Sequence, residues 1–182
     1  MAAITFKTTL YTIDGWTILR LPASASAKLP SRAMTMVAGK LNGTDFRLPL
    51  EPDGVGSHWF KVEDTILKSA AVSAGDTVKV AIEPSKEWVR PEVPADLRRA
   101  FAQHPEAQKL WAVITPNAQW DWIRWIRATN NPETRKRRIE VACSKMKKGM
   151  RRPCCFNRNV CTEPAVSHNW MLKEPQPVTA QT

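Results

Sequence analysis

The hydrophobic period of this chain changes once, and the change falls between Pro84 and Pro94. Before it, apolar residues recur in short runs: Thr5 to Ile13, Trp16 to Leu21, Met34 to Leu41, Asp45 to Leu50, Trp59 to Val62 and Thr77 to Glu83. The runs are rich in Val, Thr, Ile, Phe and Trp, which suit a pleated surface, and Asp14-Gly15, Asn42-Gly43, Asp53-Gly54 and Gly75-Asp76 punctuate them. Asn42-Gly43 is the strongest hairpin signal, because a two-residue turn of the right hand needs positive φ at both positions. Six or seven short strands with no helical interlude predict a small N-terminal β-barrel, closed or partly closed, since closure removes exposed strand edges.

After Pro84 the spacing becomes helical. Ala95 to Gln103 place Leu97, Ala100 and Phe101 on one face, Pro105 opens a second helix through Trp111, and Asn117 to Ala128 form a third. Asn131-Pro132-Glu133 is a helix start with its mechanism visible: Asn131 accepts from orphan amides, Pro132 suits the first turn, and Glu133 faces the positive end of the dipole. Gly149 supplies the stop. The fold class expected is therefore α+β, with a β-barrel over residues 1–90, a basic helical segment over 91–158 and a flexible tail over 159–182.

Charge separates the two halves. Residues 1–92 carry 11 Lys/Arg against 10 Asp/Glu, whereas 93–182 carry 16 against 7. Arg124 to Arg158 alone hold twelve basic residues, with Glu133 and Glu140 as the only acids in that stretch, an excess that favours an acidic protein or polyanion as partner. No window reaches the ~18–20 unbroken apolar residues of a membrane-spanning helix. The first thirty residues lack the basic start, apolar run and cleavage site of a secretory signal, so a cytoplasmic address is expected.

The ordered motifs resemble the bacteriocin-protection, YdeI/OmpD-associated family, preceded by the domain of unknown function that commonly accompanies it. In the strand half the resemblance rests on Gly39-Lys40-Leu41-Asn42-Gly43-Thr44-Asp45-Phe46-Arg47, Gly54-Val55-Gly56-Ser57-His58 and Gly75-Asp76-Thr77-Val78. In the helical half it rests on Trp125-Ile126-Arg127, Pro132-Glu133-Thr134-Arg135-Lys136-Arg137-Arg138-Ile139 and Gly149-Met150-Arg151-Arg152-Pro153-Cys154-Cys155-Phe156. It implies a small β-barrel followed by compact helices, a setting of bacteriocin or stress protection, and no catalytic mechanism.

Catalytic signatures are missing: there is no Gly-x-Ser-x-Gly elbow, no phosphate loop ending in Lys-Ser/Thr and no His-Glu-x-x-His. Gly54-Val55-Gly56 lacks the third glycine of a phosphate cradle and reads as a turn, and His58 and His104 have no nucleophile or orienting carboxylate close in sequence. No catalytic residue, metal or cofactor is expected. Helical phase puts Trp122, Trp125 and Ile126 on the core side of the third helix and Trp120, Ile123, Arg124 and Arg127 on the other. Indole beside guanidinium suits a phosphate with a stacked base. Arg135 points toward the Ile139/Met146 stripe and needs an anion or an acid of the barrel if it is buried. The candidates for binding an anion or partner are thus Trp120, Arg124, Arg127, Arg135, Arg138, Arg151 and Arg152. Cys143 shares the core stripe of the last helix, while Cys154, Cys155 and Cys161 form a thiol cluster whose spacing to His168 matches no usual zinc pattern. The reading favoured is a non-enzymatic binding protein. A nucleic-acid-binding module is the alternative, and a thiol- or metal-dependent protein using Cys154, Cys155 and Cys161 is the second.

Overall fold

The computed structural model describes residues 2–175, which divide into two compact units. The first runs to Glu87 and is completed by residues 159–161 and by the described residues from Ala165 onward. It contains β1 (Ile4–Thr9), β2 (Tyr11–Ile13), β3 (Trp16–Arg20), α1 (Ala23–Ser26), β4 (Thr35–Leu41), β5 (Thr44–Pro52), β6 (His58–Lys61), α2 (Asp64–Ala70) and β7 (Thr77–Pro84). The seven strands form one antiparallel sheet in the order β1-β7-β4-β5-β6-β3-β2. The end strands β1 and β2 are separated in sequence by Leu10 alone, so the sheet has to curl, and it does so as a half-barrel. Thr8 Oγ1 donates to the Arg20 carbonyl at 3.0 Å across the gap between β1 and β3.

Alternation fills the concave side. Val78, Val80 and Ile82 of β7 point inward with Val37, Leu41 and Leu50, and the exposed residues between them face out. Gly39 is required by packing rather than by its backbone angles. It pairs with Phe46 on one side and Ile82 on the other, and a Cβ there would press on the Ala81 carbonyl and come within 2.9 Å of Ile82 Cγ2 and 3.0 Å of Phe46 Cζ. The Asn42-Gly43 turn has the expected positive φ at both residues, 45° and 86°.

Two features differ from the sequence reading. The strand region does contain helix: Ile66, Leu67 and Ala70 of α2 are partly buried against the barrel core, and Ala71 ends the helix at φ 53°. Seven residues are too few to show a helical period beside strands of the same composition. The stretch expected to be a flexible tail is structured over its described part. β8 (Ser167–His168) and β9 (Met171–Leu172) form a hairpin, and Cys161, Val166 and Leu172 complete a second core with Ile13, Ile18 and Trp59. The hydrogen bond from Leu172 N to the Asp53 carbonyl, 2.8 Å, ties the hairpin to the turn after β5. Gly54 in that turn lies against Trp170 and Met171 backbone, leaving no room for a side chain. Three apolar residues scattered over a dozen positions are a weak signal, which polar and proline neighbours conceal. Residues 176–182 of the expected tail lie outside the described residues.

The second unit, 88–158 with 162–164, holds α3 (Ala95–Gln103), α4 (Pro105–Val113), α5 (Pro116–Arg127) and α6 (Pro132–Lys147). The helix starts follow the sequence chemistry. Asn131 Oδ1 accepts from Glu133 N and Thr134 N at 2.9 and 3.2 Å, and Thr115 Oγ1 accepts from Ala118 N at 3.2 Å. Leu97, Phe101, Trp111, Trp122, Ile139 and Met146 are among the core residues. Among the described residues no helix is long and apolar enough to cross a membrane.

The packing at Gly39 yields a prediction. Gly39→Ala should destabilise the half-barrel by about 1–3 kcal/mol, the usual cost of forcing an atom into a filled site. Thermal denaturation followed on the β-sheet signal checks this, and an unchanged melting temperature would refute the packing assigned to Gly39.

Candidate functional site

The amphipathic logic of α5 puts Trp122 and Ile126 in the core, as expected. Its opposite face is not open. The segment following α6 lies along it, where Arg124 Nη1 donates to the Arg158 carbonyl at 3.1 Å, and the core residue Trp122 reaches the same segment through Nε1, 2.9 Å from the Arg151 carbonyl. Arg124 is only 1% exposed, and its guanidinium stands 5.3 Å from the centre of the Phe156 ring. Asp121, on the same face, is almost wholly buried and receives Arg152 and Arg158, the latter at 3.2 Å from Nε to Oδ1. Both arginines also donate to Asn117 Oδ1, at 2.8 and 2.9 Å. A buried carboxylate needs such partners, because an unpaired interior charge is too costly.

Most of the other candidate residues are likewise engaged. Trp120 is half-buried and donates from Nε1 to the Val89 carbonyl at 2.8 Å. Arg127 reaches Thr162 Oγ1 from Nε and Nη2, at 3.4 and 3.2 Å, and pairs with Glu163 at 3.4 Å. Arg135 makes a two-pronged pair with Asp96, Nε to Oδ2 at 2.7 Å and Nη2 to Oδ1 at 3.0 Å. Its partner is thus an acid of α3 in the same unit, where the sequence reading offered a bound anion or an acid of the barrel. Arg138 donates to the Trp125 carbonyl at 2.8 Å and lies 5.6 Å from that ring's centre. Burial lowers the pKa of Arg138, while the bonds from Arg135 hold the Asp96 carboxyl below the usual aspartate value. Arg151 is exposed, as are Cys154 and Cys155.

The cysteines do not come together as one cluster. Cys161 is buried in the second core of the first unit, and Cys143 is buried on the α6 stripe, where desolvation pushes its thiol up. Among the described residues no group of three or more His, Cys, Asp or Glu is placed to hold a metal ion.

Two residues of the first unit carry polar networks that local sequence did not reveal. Asp53 is fully buried; its Oδ2 takes Arg20 Nε and Nη2 at 3.0 and 2.8 Å, and its Oδ1 takes Val55 N and Ser57 N at 2.8 and 2.9 Å. The Val55 and Ser57 amides of this turn are therefore taken by the protein's own carboxylate. His58, also fully buried, sits 2.9 Å through Nε2 from the Ala33 carbonyl and 2.7 Å through Nδ1 from Ser26 Oγ. A carbonyl only accepts, so Nε2 carries a proton, and in the neutral ring Nδ1 accepts from Ser26. The signal that could have found these sites is an Asp followed by a Gly-x-Gly turn, the pattern of a side chain bonding its own loop.

The two units thus define a class of protein, an antiparallel half-barrel followed by four helices whose arginines are largely consumed in internal bonds. Residues 90–149 match the family described as bacteriocin-protection, YdeI or OmpD-associated, and residues 6–82 match the Domain of unknown function DUF1905. The chain joins the two in the order that its motifs predict. A comparison with curated proteins finds no match.

The Asp96–Arg135 pair generates a prediction with a definite sign. The carboxyl titrates lower in the folded chain than in the unfolded one, so the pair's contribution is complete above the ordinary aspartate value of about 3.9 and is lost as pH falls through the lowered value. The melting temperature of Asp96→Asn should lie below that of the wild type by a constant margin from pH 6 to 8. That margin should shrink below about pH 4. A margin independent of pH down to acid conditions would show that the pair contributes no charge-dependent stability.

Proposed function

We propose that the chain is a non-enzymatic binding protein of the cytoplasm, working in bacteriocin or stress protection, and that its helical unit docks an acidic protein. The family match supports the setting. The observation that carries the binding reading is how the basic residues divide. Arg127, Arg135, Arg138, Arg152 and Arg158 are bonded within the second unit, whereas Lys136, Arg137 and Lys147 on α6, with Lys148 and Arg151 after it, are exposed. These five exposed bases outnumber Glu133 and Glu140, the exposed acids of the same helix, and a net positive face steers an oppositely charged partner and makes its association dependent on salt. The non-enzymatic reading draws support from His58, Asp53 and Asp121, groups with the chemistry for catalysis that are buried and committed to structural bonds.

The test uses poly-L-glutamate and a single-stranded oligonucleotide as probes, titrated against the full chain at several salt concentrations. Reversing the four charges with Lys136→Glu, Arg137→Glu, Lys147→Glu and Lys148→Glu should weaken poly-L-glutamate binding about tenfold or more, since exposed pairs contribute roughly 0.2–1 kcal/mol each. The salt dependence should become shallower at the same time. Unchanged binding would remove α6 as the docking face. Submicromolar oligonucleotide binding at physiological salt, weakened by the same four reversals, would replace the acidic protein with nucleic acid.

A further inference from the structure

Cys154 and Cys155 are both exposed and adjacent, whereas Cys143 and Cys161 are buried. The segment that carries them is held on either side. Before the pair, the Arg151 carbonyl accepts from Trp122 at 2.9 Å and Arg152 donates to Asn117 at 2.8 Å. After it, Phe156 lies under Arg124 and Arg158 donates to Asn117 at 2.9 Å. Adjacent side chains of an extended strand point to opposite faces, which would keep two neighbouring sulfurs apart. This pair is not in that conformation: the two residues form a turn, and Cys155 has φ 57°. A cysteine held in the left-handed region is uncommon and persists where its surroundings over-determine it.

From this arrangement we propose that Cys154 and Cys155 form a two-thiol binding site for trivalent arsenicals, the class of soft electrophile that takes two sulfurs at one centre. Thiolates are soft ligands and favour soft centres. Among the described residues no third His, Cys, Asp or Glu joins the pair, so the site suits a centre satisfied by two sulfurs and one substituent of its own. With phenylarsine oxide the step balances without redox change. Two arsenic–sulfur bonds form, the arsenic–oxygen bond breaks, and the oxygen leaves as water with the two thiol protons. The site is separate from the α6 face assigned to the acidic partner, so neither reading depends on the other.

The experiment is titration of the reduced full chain with phenylarsine oxide, read by intact mass and by peptide mapping after alkylation of the remaining thiols. One arsenical per chain is expected, with Cys154 and Cys155 protected together. The adduct should survive excess monothiol and be removed by a dithiol such as 2,3-dimercaptopropanol. Cys154→Ser and Cys155→Ser should each weaken retention about 100-fold or more, the gain expected when a second attachment becomes intramolecular. Circular dichroism of both variants should match the wild type, because neither thiol is in a core. Retention unchanged in either variant, or protection mapping to Cys143 or Cys161, would overturn the proposal.

Discussion

A buried carboxylate organises the end of the helical unit. Asp121 lies on the face of α5 that a pattern of apolar and basic residues would leave to solvent, and it receives Arg152 and Arg158 from a segment without regular structure. That segment has no helix ladder or strand neighbour to satisfy its backbone. Its carbonyls at 151 and 158 are instead taken by the Trp122 indole and the Arg124 guanidinium. Charge on one side chain and hydrogen-bond capacity on its helical neighbours thus fix a stretch that hydrophobic burial alone would leave loose. The exposed cysteine pair owes its fixed position to the same contacts.

Much of the fold could be read from local chemistry. The hairpin at Asn42-Gly43, the capped start at Asn131 and the core stripe of Ile139, Ala142, Cys143 and Met146 are each set by residues within a few positions of one another. What escaped was set by distant partners. Arg124 has the helical phase of a surface residue, and only the loop passing over it some thirty residues later makes it interior. Asp96 reads as an ordinary first-turn acid, and its tie to Arg135 across 39 residues has no local signature. The β8–β9 hairpin was hidden for a related reason: its core residues acquire a period only beside strands formed at the other end of the chain.

The division of labour between arginine and lysine follows from their head groups. A guanidinium is planar, offers five donors and keeps its charge, so it can serve two acceptors at once inside a protein; an ammonium is compact and strongly hydrated. Arg127, Arg135, Arg152 and Arg158 each hold more than one bond, whereas Lys136, Lys147 and Lys148 remain in solvent. Counting positive charge along the sequence therefore overstates what a partner would meet. The charge presented outward is the smaller remainder, which on α6 and just after it includes Lys136, Arg137, Lys147 and Lys148.

The return of the chain into its first unit has a consequence for biogenesis. Ile13, Ile18 and Trp59 lack half of their core until Cys161, Val166 and Leu172 have been synthesised, by which point the helical unit has already emerged. Domains generally fold as units in the order of translation. Here the element translated first is finished last. A nascent half-barrel therefore carries a tryptophan-bearing surface that stays uncovered until Leu172 has been made.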